Sequence, residues 1–188
     1  MDSLVGAIFL VLAQLQPVWG DGELLPDRWE RLHGVARVIA RAAAEEPDPV
    51  EAAAVLVALG DHETRFAADV GAGLCGAVAS HDKRCDGGRA RSYWQLWQVS
   101  CPELWNVEVG SEQATLTAAR CALSHIRRGK TACGSLRGSL ARYAVGHGCS
   151  WTGALPRARS VHAARRALAL RLGSARLAMQ TAEGIPEP

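Results

Sequence analysis

Glu63 is the residue whose setting asks for a chemical explanation. It lies in "GDHETRFA", directly after "VEAAAVLVAL", a stretch with almost nothing polar in it. A carboxylate at the end of a buried apolar helix is costly to ionise, so it is paired, exposed or kept for chemistry. Leu59, Phe66 and the apolar helix beside Glu63 disfavour its charged form and would hold a proton on it near neutral pH. A general acid needs this, because a leaving oxygen departs with a proton that an ordinary ionised Glu cannot give. The plainer alternative is that Glu63 caps the helix or pairs with Arg65 and is inert.

Two further stretches carry polar and aromatic groups that could line a groove beside Glu63. "GRARSYWQLW" supplies Ser92, Trp94 and Gln95, and "LARYAVGHG" supplies Tyr143. In this order the three stretches resemble the lysozyme-like lytic transglycosylases, relatives of goose-type lysozyme. Glu63-Thr64-Arg65-Phe66 stands for the family's "ES-x-F"-like element and Ser92-Tyr93-Trp94-Gln95 for its "G-[LP]-[MW]-Q". Ala141 to Gly148 stands for "A-x-Y-N-x-G-x-G". The resemblance covers roughly Val50 to Trp151. Ser92 replaces the usual Gly and Ala144 the usual Asn. A second register, Gln95-Leu96-Trp97-Gln98, would make Gln98 the motif glutamine; Gln95 keeps the family's distance from the Gly-rich loop before it.

The resemblance implies a mainly α, lysozyme-like single domain that cleaves peptidoglycan glycan strands. Glu63 would protonate the bond between N-acetylmuramic acid and N-acetylglucosamine. It would then take a proton from the muramoyl 6-hydroxyl, closing a 1,6-anhydro ring. Gln95, Tyr143, Trp94 and Ser92 would bind substrate, with no cofactor and no metal. A hydrolytic muramidase would need a second carboxylate, for which Asp69, Asp82 and Asp86 are candidates outside the motifs. A different class also fits: a catalytically silent, disulfide-stabilised domain that holds glycan in a Trp-lined groove. His62 diverges from Glu63 on a helix and reads as structural, like His33 and His125, while His147 reads as a surface residue.

The elements that must position these groups follow from the rest of the chain. At 188 residues and 48% apolar composition it can bury a single sizeable core. "DRWERLHGVARVIARAAAEE" has helical spacing at Trp29, Leu32, Val35, Ala36, Ile39 and Ala43, with Arg37, Arg41 and Glu45 on the wet side. Asp48 caps the next helix and Pro49 opens it; this helix, about 50–62, is apolar all round and should be central. Residues 71–91 read as a loop or small β-hairpin. Further helices are expected from Ser111 or Glu112 to about Arg128, over Leu136–His147, and over about 157–179 with Val161, Ala164, Leu168 and Leu172 on one side.

Six cysteines, at 75, 85, 101, 121, 133 and 149, show no zinc-like spacing; an even count suggests disulfides and an oxidising compartment. Neighbour pairing would join Cys75–Cys85, Cys101–Cys121 and Cys133–Cys149. "LVGAIFLVLAQL" within residues 1–20 has signal-peptide length, although Met-Asp-Ser before it carries no positive charge. It reads as a signal peptide, an apolar membrane-associating anchor or a first core helix, ahead of a catalytic domain over 27–180. Export to the periplasm or outside is expected. From Gln113 to Ala182 there are twelve Lys or Arg and no acid, against seventeen acids over residues 1–112. That asymmetry means either an anionic partner or pairing between the two halves. The basic part lacks interleaved aromatics, so no nucleic acid is expected, and the domain is expected to be monomeric.

Overall fold

The computed structural model describes residues 2–15, 17, 20, 22–74, 86 and 89–183, with helical backbone only for residues 2 and 175–183. The described chain is mainly helical: α1 (Asp2–Gln14), α2 (Leu25–Ala43), α3 (Pro49–Thr64), a short α4 (Ala68–Gly71), α5 (Glu112–Cys133), α6 (Leu136–Val145) and α7 (Ala154–Glu183). Strands β1 (Ala90–Arg91) and β2 (Leu96–Trp97) pair antiparallel, followed by a 3₁₀ turn over Pro102–Asn106.

α3 is the central helix, as its all-round apolar surface predicts. Ala52 to Leu59 are all buried, and α7, α2, α5 and α1 pack around it. Asp48 caps α3 by accepting from the Glu51 N–H at 2.9 Å, and Pro49 takes the first helical position. On α2 the predicted face is buried at Leu32, Val35, Ala36, Ile39 and Ala43, whereas Trp29 is exposed and leans on Phe9 of α1. On α7, Val161, Ala164 and Leu168 are buried as predicted.

α1 joins this core. Ile8 and Leu12 are fully buried, and the helix packs on α2 and α7. Of the readings of the N-terminal apolar run, the first core helix describes its place in the fold, and the core begins ahead of residue 27. Among the described residues no helix is long and apolar enough to cross a membrane.

The charge asymmetry is met by pairing between the halves. Arg120 bonds Glu45, Arg127 bonds Glu46, and Lys130 and Arg165 both bond Glu51. Arg41 also turns to Glu112 on α5. Two disulfides are present, Cys101–Cys121 with Cα atoms 5.9 Å apart and Cys133–Cys149 at 5.5 Å, both as neighbour pairing predicts. They are the cysteine usage of an oxidising, exported environment. Cys75 and Cys85 lie outside the described residues.

Candidate active site

Glu63 is presented by the end of α3, and the turn beyond it is tightly specified. Arg65 and Phe66 both take left-handed backbone conformations, with φ of 50° and 49°. The Arg65 N–H closes the helix on the Asp61 carbonyl at 3.0 Å. Phe66 then folds back onto Gly60, where an added Cβ would stand 2.3 Å from its ring, so only glycine fits. The Thr64 hydroxyl faces two carbonyls, Gly60 at 3.2 Å and Tyr93 at 3.0 Å, which ties the helix end to the second motif. Arg31 of α2 donates to the Phe66 carbonyl at 2.9 Å and to Glu23 at 2.6 Å. The bond from Arg31 holds the Glu23 carboxyl below its ordinary range, against the opposing effect of burial.

The second motif is the turn of the hairpin. β1 and β2 flank Ser92–Gln95, so the hairpin lies over residues 90–97 and takes in the motif. Ser92 and Gln95 have φ of 69° and 50°. Ser92 therefore occupies a backbone position that glycine adopts without penalty, which is why a glycine suits that slot. Gln95 lines the groove beside Glu63, whereas Gln98 is exposed and outside its lining.

Two expected substrate contacts need correction. Trp94 is fully buried and donates its indole N–H to the Leu56 carbonyl at 2.9 Å. It anchors the turn to α3 and has no surface left for a sugar. Ser92 lies outside the groove lining; its hydroxyl accepts from the Trp94 N–H at 3.3 Å and its carbonyl from the Gln95 amide at 3.1 Å.

A groove of about 390 Å³ brings together Glu63, Gln95 and Tyr143 with Asp86, Trp97 and His125. The Tyr143 hydroxyl donates to the Trp94 carbonyl at 2.6 Å. Burial first, and then the nearby Glu63 charge, push this phenol well above its ordinary value, with Arg157 opposing. It stays protonated, and its one hydrogen holds the hairpin turn while its ring faces the groove.

Sequence reasoning missed the main partner of Glu63. Arg157, at the start of α7, donates to the Glu63 carboxylate at 2.6 Å, whereas the only partner weighed from the sequence is Arg65, in the inert alternative. Both side chains are mostly buried, at 13% and 18% exposure for Arg157 and Glu63. The guanidinium also lies 4.6 Å from the centre of the Trp151 ring. With 94 positions between the partners, no local spacing could reveal the pair. In this pair the guanidinium compensates a charged Glu63 carboxylate.

The remaining candidates separate cleanly. Asp86 lines the groove, and its carboxylate accepts from the Trp97 indole at 2.9 Å. Asp69, on α4, is outside the groove lining, and Asp82 lies outside the described residues. His62 bonds Ser160 at 2.9 Å and is structural, as read; burial and then Arg157 hold its imidazole below the ordinary range. His33 packs against Phe9, and His147 is exposed and outside the groove lining. His125, read as structural, lines the groove. No family model, curated protein or solved structure matches the chain.

Proposed function

We propose that this protein is an exported, lysozyme-like lytic transglycosylase acting on peptidoglycan. The observation that carries the reading is the convergence in one groove of Glu63, Gln95 and Tyr143, drawn from three separate stretches of the chain. Glu63 protonates the glycosidic oxygen between N-acetylmuramic acid and N-acetylglucosamine. The resulting carboxylate then accepts the proton of the muramoyl 6-hydroxyl, whose oxygen closes on the anomeric carbon. No outside water enters this sequence. Arg157 compensates Glu63 whenever it is charged and fixes its orientation. Substrate must displace that contact for the first proton transfer.

Digestion of purified sacculi followed by mass spectrometry of the muropeptides tests the reading. The expected products carry 1,6-anhydromuramoyl ends, one water lighter than reducing ends. Glu63→Gln should lose on the order of 10²–10⁴-fold in rate or more. Near-normal digestion by that variant would remove Glu63 from the chemistry.

A hydrolytic muramidase is the second reading, favoured by Asp86 in the same groove. There Asp86 would activate or replace a water nucleophile, and the products would be reducing sugars. Asp86→Asn separates the two: it disables the hydrolase and leaves anhydro-product formation running.

A further inference from the structure

We infer that His125 is a specificity-determining residue that accepts a hydrogen bond from the 2-acetamido N–H of an amino sugar through Nδ1. The inference rests on the glycan-cleaving reading of the groove. His125 projects from α5 into the groove lining, although none of the three motif stretches includes it. Its ring is held in place by two contacts. Nε2 is 2.9 Å from the Ser100 carbonyl, and the ring meets Tyr143 edge-on, with centroids 6.1 Å apart and planes at 89°.

The Ser100 contact decides the tautomer. A carbonyl only accepts, so Nε2 carries the hydrogen, and in the neutral ring Nδ1 is then a lone-pair acceptor. Nδ1 has no hydrogen-bond partner among the described residues. The other polar groups of the groove are more committed. The hydrogen of Tyr143 goes to Trp94, the Gln95 amide donates to Ser92, and Asp86 holds the Trp97 indole. Position 144, next to Tyr143 in the lining, is an alanine and offers no hydrogen bond. Leu96, Ala144 and Val145 instead supply apolar surface in the same groove. An acetamido group presents one N–H donor and one methyl, matching an acceptor beside apolar side chains; a hydroxyl in its place offers no methyl.

Two substitutions divide the imidazole's functions. In His125→Gln the amide reaches the Nε2 position and can keep the Ser100 bond, but nothing replaces Nδ1. In His125→Asn the amide oxygen stands near Nδ1 and the Ser100 bond is lost. Both are made in the Glu63→Gln background to stop turnover. Binding of N-acetylglucosamine tetramer and of glucose tetramer is followed by calorimetry, with thermal unfolding measured in parallel.

The Glu63→Gln parent is expected to bind the amino-sugar tetramer and to prefer it to the glucose tetramer. Adding His125→Gln should weaken amino-sugar binding about tenfold and erase most of the preference, with Tm little changed. Adding His125→Asn should lower Tm but keep affinity within about threefold. The opposite pattern, with affinity and preference intact in His125→Gln and lost in His125→Asn, overturns the inference and reduces His125 to a structural partner of Ser100. Failure of the parent to bind either tetramer overturns the glycan reading itself, and this inference with it.

Discussion

Arg157→Met should unfold more easily than the parent protein, and the size of the effect follows from the pair's geometry. At 2.6 Å the gross attraction between unit charges is about 6 kcal/mol at an effective dielectric of 20. Desolvation of both groups offsets most of it. Removing one partner of a buried pair typically costs about 3–5 kcal/mol because the other charge is stranded. Glu63 keeps 18% of its side chain exposed, so water recovers part of that cost and about 2–4 kcal/mol is expected. Urea unfolding at pH 7 of the parent, Arg157→Met, Glu63→Gln and the double variant gives the coupling directly. A coupling energy of about 1–3 kcal/mol is expected, with the double variant more stable than Arg157→Met alone. If Arg157→Met lies within about 0.5 kcal/mol of the parent, the pair does not form in solution, and the proposed compensation of Glu63 is wrong.

Tyr143→Phe removes the donor to the Trp94 carbonyl and should destabilise the fold by about 1–3 kcal/mol in urea unfolding, because a buried acceptor is left unpaired. Leu12→Ala should cost about 2–5 kcal/mol; a loss under about 0.5 kcal/mol would mean that α1 does not dock in solution. Replacing Cys133 and Cys149 by serine opens a link spanning 16 positions and should cost about 3 kcal/mol, read as a lowered urea midpoint. Burial pushes the Asp61 carboxyl above its ordinary value of 3.8, with His62 and Arg65 opposing, so folding favours its neutral form. That contribution is fully present below pH 3.8 and lost as pH rises through the folded value; Asp61→Asn should therefore raise Tm at pH 7, with the gain vanishing near pH 3.

Sequence patterns were informative where one local force decides. Asp48-Pro49 opens α3 because cap chemistry is local, and Ser111 likewise caps α5 through the Ala114 N–H at 3.0 Å. The α5 terminus was misread. The helix runs past the expected end at Arg128, through Gly129, to Cys133 and stops at Gly134. Gly129 is there for packing: a Cβ would lie 2.5 Å from the Ser139 hydroxyl, which itself bonds the Ile126 carbonyl at 2.7 Å. Glycine's smallness brings α6 against α5, and only the tertiary structure distinguishes that use from a helix stop. Trp94 was misread for a related reason. An aromatic beside a motif glutamine looks the same whether it holds ligand or anchors the turn, and its bond to Leu56 is settled by the fold.

The site's electrostatics lay beyond sequence patterns for a physical reason that also bears on the proposed mechanism. An apolar helix end alone gives Glu63 no compensating charge, and the one it has comes from α7, 94 positions away. In the proposed mechanism Arg157 would pair with the carboxylate present between the two transfers. Arg157 is in turn seated over Trp151, two residues beyond Cys149, whose disulfide to Cys133 fastens this segment to the end of α5. The oxidised cysteine pair, the tryptophan face and the guanidinium form one continuous support leading to Glu63. Glu63 has an apolar helix on one side and, on the other, a cation held against Trp151, so the proposed double use of this carboxylate depends on the Arg157 contact opening and closing.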